Sequence, residues 1–207
     1  MQADLLLFLS LSVGVTIAPG PDNLQVLARS LSQGRPAGIA AALGFASGCL
    51  FHTTLAVLGV AALLKASPMA FDAIRLAGAA YLMWLAVQVL RSRGGFSPAG
   101  GPSAQGLWRV FGQSVLANML NPKVTLFFLV FLPQFVNPWI GHPDWQMLWL
   151  GVIFMVQAAV VFCLIAWFAG LVGQLLRRRP QVGVWLDRLA GLIFLFLAVR
   201  IVWGDPS

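Results

Sequence analysis

Charge is scarce in this chain, and negative charge is the scarcest. The 207 residues include no Glu and only six Asp, and 9% of them are charged, against about 25% in an average soluble domain. So few charges cannot cover a surface in contact with water, and 59% of the residues are hydrophobic. The composition excludes an ordinary soluble protein and predicts an integral membrane protein with the lipid bilayer as part of its solvent.

Further absences narrow the function classes. The two cysteines, Cys49 and Cys163, lie in apolar stretches and match no metal or redox spacing. No set of nucleophile, base and orienting residue is recognisable, so we predict no enzyme activity, no metal site and no cofactor. The net charge of +7 would suggest nucleic acid as a partner of a soluble protein. Here the basic residues follow the loops, and we predict no nucleic-acid partner.

Six segments are apolar and long enough to cross a bilayer, which takes about 20 residues per helix. They are about 4–31, 38–64, 71–91, 107–135, 145–175 and 184–203. The stretch from Ser92 to Gly106 is rich in Gly, Ser and Pro and is typical of a flexible linker. We therefore predict an all-α membrane protein with one transmembrane domain over residues 1–207. Its first repeat covers about 1–91, its linker about 92–106 and its second repeat about 107–207.

The basic residues also predict the orientation, because cytoplasmic loops carry the excess of Lys and Arg. Lys65, Arg75 and Arg200 flank one side of the predicted spans. Nine residues flank loops 1–2, 3–4 and 5–6 on the other side: Arg29, Arg35, Arg91, Arg93, Arg109, Arg177, Arg178, Arg179 and Arg188. We expect a multi-pass protein of the cytoplasmic (inner) membrane with these three loops in the cytoplasm and both termini in the periplasm.

The two halves of the chain resemble each other. The sequence from Arg75 to Gly78 in the third span recurs from Arg188 to Gly191 in the sixth. Each half also has a first span that is broken by proline. Because three spans are an odd number, the second half enters the membrane from the opposite side. This predicts a 3+3 inverted-topology repeat, an arrangement found in many secondary transporters.

The breaks lie near the middle of spans one and four, at Pro19-Gly20-Pro21 and at Asn121-Pro122. Proline removes a backbone N–H and ends or kinks a helix. A simple kink is one interpretation of each break. The alternative is a pair of half-helices that begin at Pro21 and at Pro122, with Asn121 as an N-cap. Their N-termini would then offer a positive dipole end to a carboxylate near the bilayer midplane.

Two ionisable residues, Asp22 and Lys123, follow the breaks at equivalent positions. A charge at this depth is costly in lipid, so neither should face it. They could form an ion pair that joins the repeats. Alternatively, Asp22 could bind a substrate amine or carry a proton while Lys123 holds a carboxylate. His52, in span two, could titrate in the useful pH range, or it could simply be a hydrogen-bonded packing residue.

At these residues the chain resembles the LysE/RhtB family of amino-acid exporters, nearly from end to end. The resemblance rests on five motifs: Ala18-Pro19-Gly20-Pro21 with Val26, Gly34 and Gly38; Gly44 to Gly48 with His52; Gly78 to Leu85; Asn118 to Lys123; and Phe131 to Phe135. It implies a cytoplasmic-membrane exporter of amino acids or close derivatives, driven by the proton gradient. Family members handle basic residues, homoserine and threonine, leucine or cysteine metabolites, and the residue after Pro-Gly-Pro varies among them.

The function predicted from the sequence is therefore amino-acid export by proton-coupled alternating access, with export of a metal or other small ion as the alternative. A homodimer is left open. The predicted partners are an amino-acid substrate, protons and the lipid bilayer. Proton coupling is assigned to Asp22 or His52. The predicted substrate-binding residues are Pro19, Gly20, Pro21, Asp22, Asn118, Asn121, Pro122 and Lys123.

Overall fold

The computed structural model of the chain describes residues 2–60, 68–91, 105–137 and 141–203. Within these ranges its regular secondary structure is all helical, with no strand. The predicted linker lies almost wholly outside the described residues. We number the helices as follows: α1 Gln2–Ile17, α2 Pro21–Gln33, α3 Arg35–Leu55, α4 Pro68–Arg91, α5 Leu107–Met119, α6 Pro122–Leu126, α7 Pro143–Trp167, α8 Ala169–Arg178 and α9 Pro180–Trp203.

The first predicted break separates α1 from α2, which meet at a bend of 57°. Gly20 is the extended N-cap of α2 and Pro21 is its first residue. This position suits proline, because the first N–H groups of a helix have no partner within the helix. The first span is therefore bent at the point that the sequence predicts.

The second predicted break separates α5 from α6 by a bend of 52°. Asn121 is the N-cap of α6, and its side chain accepts a hydrogen bond from the backbone N–H of Lys123 at 3.0 Å. The helix continues through a π-helical turn at Phe127–Phe131 and a 3₁₀ turn at Leu132–Phe135. The predicted N-cap is confirmed.

A π-helical turn at Ala56–Val60 follows α3. Three of the described helices are long and apolar enough to cross a membrane: α3 with part of this turn (Arg35–Gly59), α7 (Pro143–Trp167) and most of α9 (Gln181–Trp203). Each bent pair also qualifies when it is counted as one span, which brings the number to five. In the third predicted span, the part of α4 that counts as an apolar helix is shorter, Leu76–Arg91. The fold is thus all-helical with three to five candidate spans among the described residues.

The fifth predicted span, at about 145–175, is divided in the structure. Its long helix α7 ends at Trp167, and α8 starts at Ala169 after Phe168 leaves helical geometry. The apolar run continues past this point in the sequence. Hydrophobicity alone therefore could not reveal the division.

Helix α3 lies at the centre and packs most extensively against α5 and α7, while α4 packs against α9. Small residues make these close approaches possible. A side chain at Gly44 would meet the backbone carbonyl of Phe111, and one at Gly48 would meet the side chain of Asn118. Asn118 belongs to the second break, so this packing holds the break against α3.

Candidate functional site

The two breaks meet through a hydrogen bond between the halves of the chain. The side-chain amide of Asn121 donates to Oδ1 of Asp22 at 2.6 Å. Both residues are buried, with 3% of Asp22 and 5% of Asn121 exposed. Because one residue opens α2 and the other caps α6, this bond joins the starts of the two half-helices.

Lys123 crosses from the second break to the first. Its Nζ donates to the backbone carbonyls of Val15 and Ala18, each at 3.3 Å. The carbonyl of Val15 would bond the N–H of residue 19 in a continuous helix, but residue 19 is proline. Gly20 leaves space for the ammonium group, which lies 3.0 Å from where a Cβ of that residue would stand. The ammonium group of Lys123 thus replaces the backbone N–H that Pro19 lacks.

The other proline of the first break is compensated in the same way. Pro21 has no N–H for the carbonyl of Ile17, four residues earlier. The side-chain amide of Asn23 donates to this carbonyl at 3.0 Å and to that of Ala18 at 2.9 Å. The end of α1 is therefore closed by side chains from α2 and α6.

At the second break, His52 replaces the N–H that a proline lacks. Pro122 has no N–H for the carbonyl of Asn118, and Nε2 of His52 lies 3.0 Å from that oxygen. A carbonyl oxygen can only accept, so Nε2 carries the proton in this contact. The N–H of Asn121 also reaches the same oxygen, at 2.8 Å. Nδ1 of His52 is buried with no hydrogen-bond partner.

The sequence left open whether Asp22 and Lys123 form an ion pair. Among the described residues, the carboxylate of Asp22 bonds Asn121 while the ammonium group of Lys123 bonds backbone carbonyls, so the two are not hydrogen-bonded to each other. At the N-terminus of α6, the predicted N-cap Asn121 already accepts the backbone N–H of Lys123. At α2 the N-cap residue is Gly20, so no side chain forms a capping hydrogen bond. Asp22 places its carboxylate in the first turn of this helix.

A small cavity of about 10 Å³ lies beside these residues, with room for about one water molecule. Its polar lining consists of Thr16, Asp22, Asn118 and Lys123. The other lining residues are apolar: Val15, Cys49, Val124, Phe154, Ala158 and Phe162. An amino acid is far larger than this space, so the helices around it would have to separate to admit one.

The cavity brings together residues that the sequence singled out and others that it did not. Asp22, Asn118 and Lys123 line it, and Oδ1 of Asn118 is buried without a hydrogen-bond partner. Thr16 was missed, as was its hydrogen bond from Nε2 of Gln157 at 2.9 Å. The roles of Asn23 and His52 could have been inferred by asking which side chains replace the proline N–H groups.

A larger groove of about 410 Å³ shares no residue with this cavity. It lies between the start of α1, the end of the 3₁₀ turn at Leu132–Phe135 and the start of α7. Leu5, Phe135 and Trp149 are among its mainly apolar lining residues. Within the described residues, no group of three His, Cys, Asp or Glu side chains could hold a metal ion.

Comparison with known proteins gives the family. The family model described as LysE type translocator matches residues 13–204. An uncharacterised membrane protein of Pseudomonas aeruginosa is 33% identical over 94% of this chain and 93% of its own. A leucine efflux protein of Klebsiella pneumoniae is 30% identical over 92% of this chain and 90% of its own.

A homoserine/homoserine lactone efflux protein of Salmonella typhimurium is 28% identical over 94% of this chain and 93% of its own. No solved structure matches the chain. The family match spans both breaks and every residue that lines the central cavity. The chain belongs to the family of LysE type translocators.

Proposed function

We propose that the protein exports amino acids or close derivatives across the cytoplasmic membrane by proton-coupled alternating access. Two relatives over nearly the whole chain are named efflux proteins, one for leucine and one for homoserine and its lactone. These names favour an amino-acid substrate over the alternative of a metal or other small ion.

The observation that carries the proposal is the meeting of two bent helices around one cavity. Asp22 lies on the first half and Lys123 on the second, and both line the cavity. Their opposite charges match the ammonium and carboxylate groups of an amino acid. The substrate ammonium would bind Asp22 in place of Asn121, and its carboxylate would bind Lys123 in place of the backbone carbonyls. The remaining predicted site residues, Pro19 to Pro21, Asn118 and Pro122, shape the breaks that hold these two.

The arrangement of the halves supports the proposal of alternating access. We propose six spans in a 3+3 inverted repeat, in which the second span of each half packs against the other as α3 against α7. The third spans pack likewise as α4 against α9. Such pairing of equivalent spans is what a two-fold axis in the membrane plane would produce.

We propose that a contact between α2 and α5 closes one side of the site. Nη2 of Arg29 donates to Oε1 of Gln113 at 2.9 Å, and 5% of Arg29 is exposed. Arg29 follows Asp22 by seven residues, which is about two helical turns along α2. Opening on this side would require α2 to leave α5 and break this hydrogen bond.

For proton coupling we propose Asp22, with His52 as the second candidate. Asp22 loses its charge when it binds a proton, and release of a substrate ammonium would leave its carboxylate free to do so. His52 has a buried, unpartnered Nδ1 that could accept a proton without breaking the bond to Asn118.

The test uses purified protein in liposomes that are preloaded with a mixture of amino acids, with and without an imposed pH gradient. We expect selective loss of one or a few amino acids that is faster with the gradient. Preloaded liposomes without protein, and preloaded liposomes with the Asp22→Asn variant, serve as controls. If folded protein releases no amino acid selectively, the proposal fails.

A further inference from the structure

We infer that the central cavity accepts amino acids with uncharged side chains and rejects basic and acidic ones, and that Ala158 of α7 limits the size of the side chain. The inference rests on the proposed function, since it assigns the substrate class of the same site.

The charges of the cavity are balanced. Asp22 and Lys123 are the only lining residues among its described walls that carry a full charge. A zwitterionic amino acid brings one ammonium and one carboxylate, so it uses both. A lysine, arginine, aspartate or glutamate side chain would bring a third charge into a buried space with no partner, which is strongly unfavourable.

Apart from Thr16 and Asn118, the walls that remain for the side chain are apolar. Phe154, Ala158 and Phe162 are spaced four residues apart on α7, so they lie along one face of that helix. Both phenylalanine rings pack against aromatic neighbours. Phe154 lies 4.8 Å from Phe127 and Phe162 lies 6.0 Å from Phe45, measured between ring centroids.

Ala158 stands between these two phenylalanines on the same face of α7, and we call its position the notch. It is the smallest residue of the cavity lining, and 1% of it is exposed. A substrate side chain that points toward α7 would enter this notch, where the side chain of residue 158 would determine the space available. Oδ1 of Asn118 is a buried acceptor without a partner, so a hydroxyl group on a small substrate side chain could also be bound.

The first experiment measures counterflow of labelled leucine, homoserine, lysine and glutamate into proteoliposomes that contain the wild-type chain. We expect leucine and homoserine to enter, and lysine and glutamate to enter at least about tenfold more slowly, since selectivity of this order is within reach of one binding pocket. Lysine or glutamate transport at the rate of leucine would overturn the inference and leave the proposed function standing. If folded protein transports none of the four and also releases no amino acid selectively from the preloaded mixture, the proposed function fails, and the inference fails with it.

The second experiment changes the notch. Ala158→Leu should lower leucine transport about tenfold relative to alanine transport in the same vesicles, because the added side chain occupies the space for the larger substrate. Ala159→Leu adds the same volume one residue along α7, outside the cavity lining, and should leave the ratio of leucine to alanine transport unchanged.

Ala158→Gly tests the opposite change and guards against misfolding of the larger variant. It should raise phenylalanine transport relative to leucine transport. If neither Ala158 variant changes the ratio between large and small substrates while both proteins remain folded, Ala158 does not limit side-chain size.

Discussion

Three backbone carbonyls lack their usual helical donor, because a proline stands four residues later. They belong to Val15, Ile17 and Asn118. The donors that replace the missing N–H groups are the side chains of Lys123, Asn23 and His52, respectively. An unpaired carbonyl is costly where water is absent. At the residue scale, the polar side chains near the breaks are therefore needed for the fold as well as for the proposed transport.

Asp22 is the residue whose loss should affect transport most directly. Asp22→Asn removes the negative charge but keeps the size of the side chain, so we expect insertion into the membrane and a fall in transport of about 10- to 100-fold. That range corresponds to the loss of about 1.5–3 kcal/mol from a hydrogen bond to a charged group. Flux at matched expression is the measurement. Asp144→Asn, in the exposed first turn of α7, is the matched control and should transport normally.

His52 can be tested for the two roles that the sequence left open. His52→Gln retains an N–H donor for the carbonyl of Asn118, whereas His52→Leu does not. We expect the glutamine variant to fold and to keep its dependence on the pH gradient. The leucine variant should lose about 1 kcal/mol of stability, the usual net value of one hydrogen bond. Flux with and without a gradient, together with thermal unfolding in detergent, separates the two. If the glutamine variant folds but its transport no longer depends on the pH gradient, proton coupling is assigned to His52 instead of Asp22.

At the scale of helices, the bends position the site. Pro122→Ala would supply an N–H to the carbonyl of Asn118 and favour a straight fourth span in place of the 52° bend. Because Asn121 would then move away from Asp22, we expect transport to fall about tenfold or more, as small displacements in a site commonly cause. The same measurement on Pro21→Ala tests the first break.

Pro143→Ala is the matched control for the prolines. Pro143 is the first residue of α7 and interrupts no helix, so its replacement should leave flux unchanged. Full activity in both Pro21→Ala and Pro122→Ala would show that the half-helices are not needed.

The contact between α3 and α5 can be tested through its glycines. A Cβ at Gly48 would lie 2.6 Å from Oδ1 of Asn118, so Gly48→Ala should destabilise the protein by about 1–3 kcal/mol, as other cases of overpacking do. A Cβ at Gly112 of α5 would meet nothing within 4 Å. Gly112→Ala should be neutral or slightly stabilising, since Ala is the better helix former. Thermal unfolding in detergent compares the two variants, and equal stability would contradict the close packing.

At the scale of the whole molecule, the orientation in the membrane remains a prediction from the loop charges. Reporters fused to either terminus should read as periplasmic, and reporters in the loops near Arg35 and Arg178 should read as cytoplasmic. If a reporter fused at residue 207 is fully active in the cytoplasm, the predicted orientation is reversed or the chain has one span fewer than predicted. Cross-linking in membranes tests whether the chain forms a homodimer, which the sequence leaves open.

The sequence predicted the breaks and their residues well because proline and asparagine act locally. Pro21 begins α2 and Asn121 caps α6 as expected, since these preferences depend on the backbone of a few neighbouring residues. The partner of Asp22 could not be predicted, because Asn121 and Lys123 are both within reach of the first half and only the packing of the halves selects between them. The end of α7 at Trp167 was also missed, since the apolar sequence continues through it.

The hydrogen bond from Lys123 to Ala18 spans 105 residues, and this separation has a consequence for biosynthesis. A ribosome adds about 5–20 residues per second, so the lysine is made about 5–20 s after the carbonyl that it completes. During that interval the first broken span has no lysine partner from the second half. We therefore expect the nascent first half to stay beside the insertion machinery, or beside residual water, until the fourth span arrives.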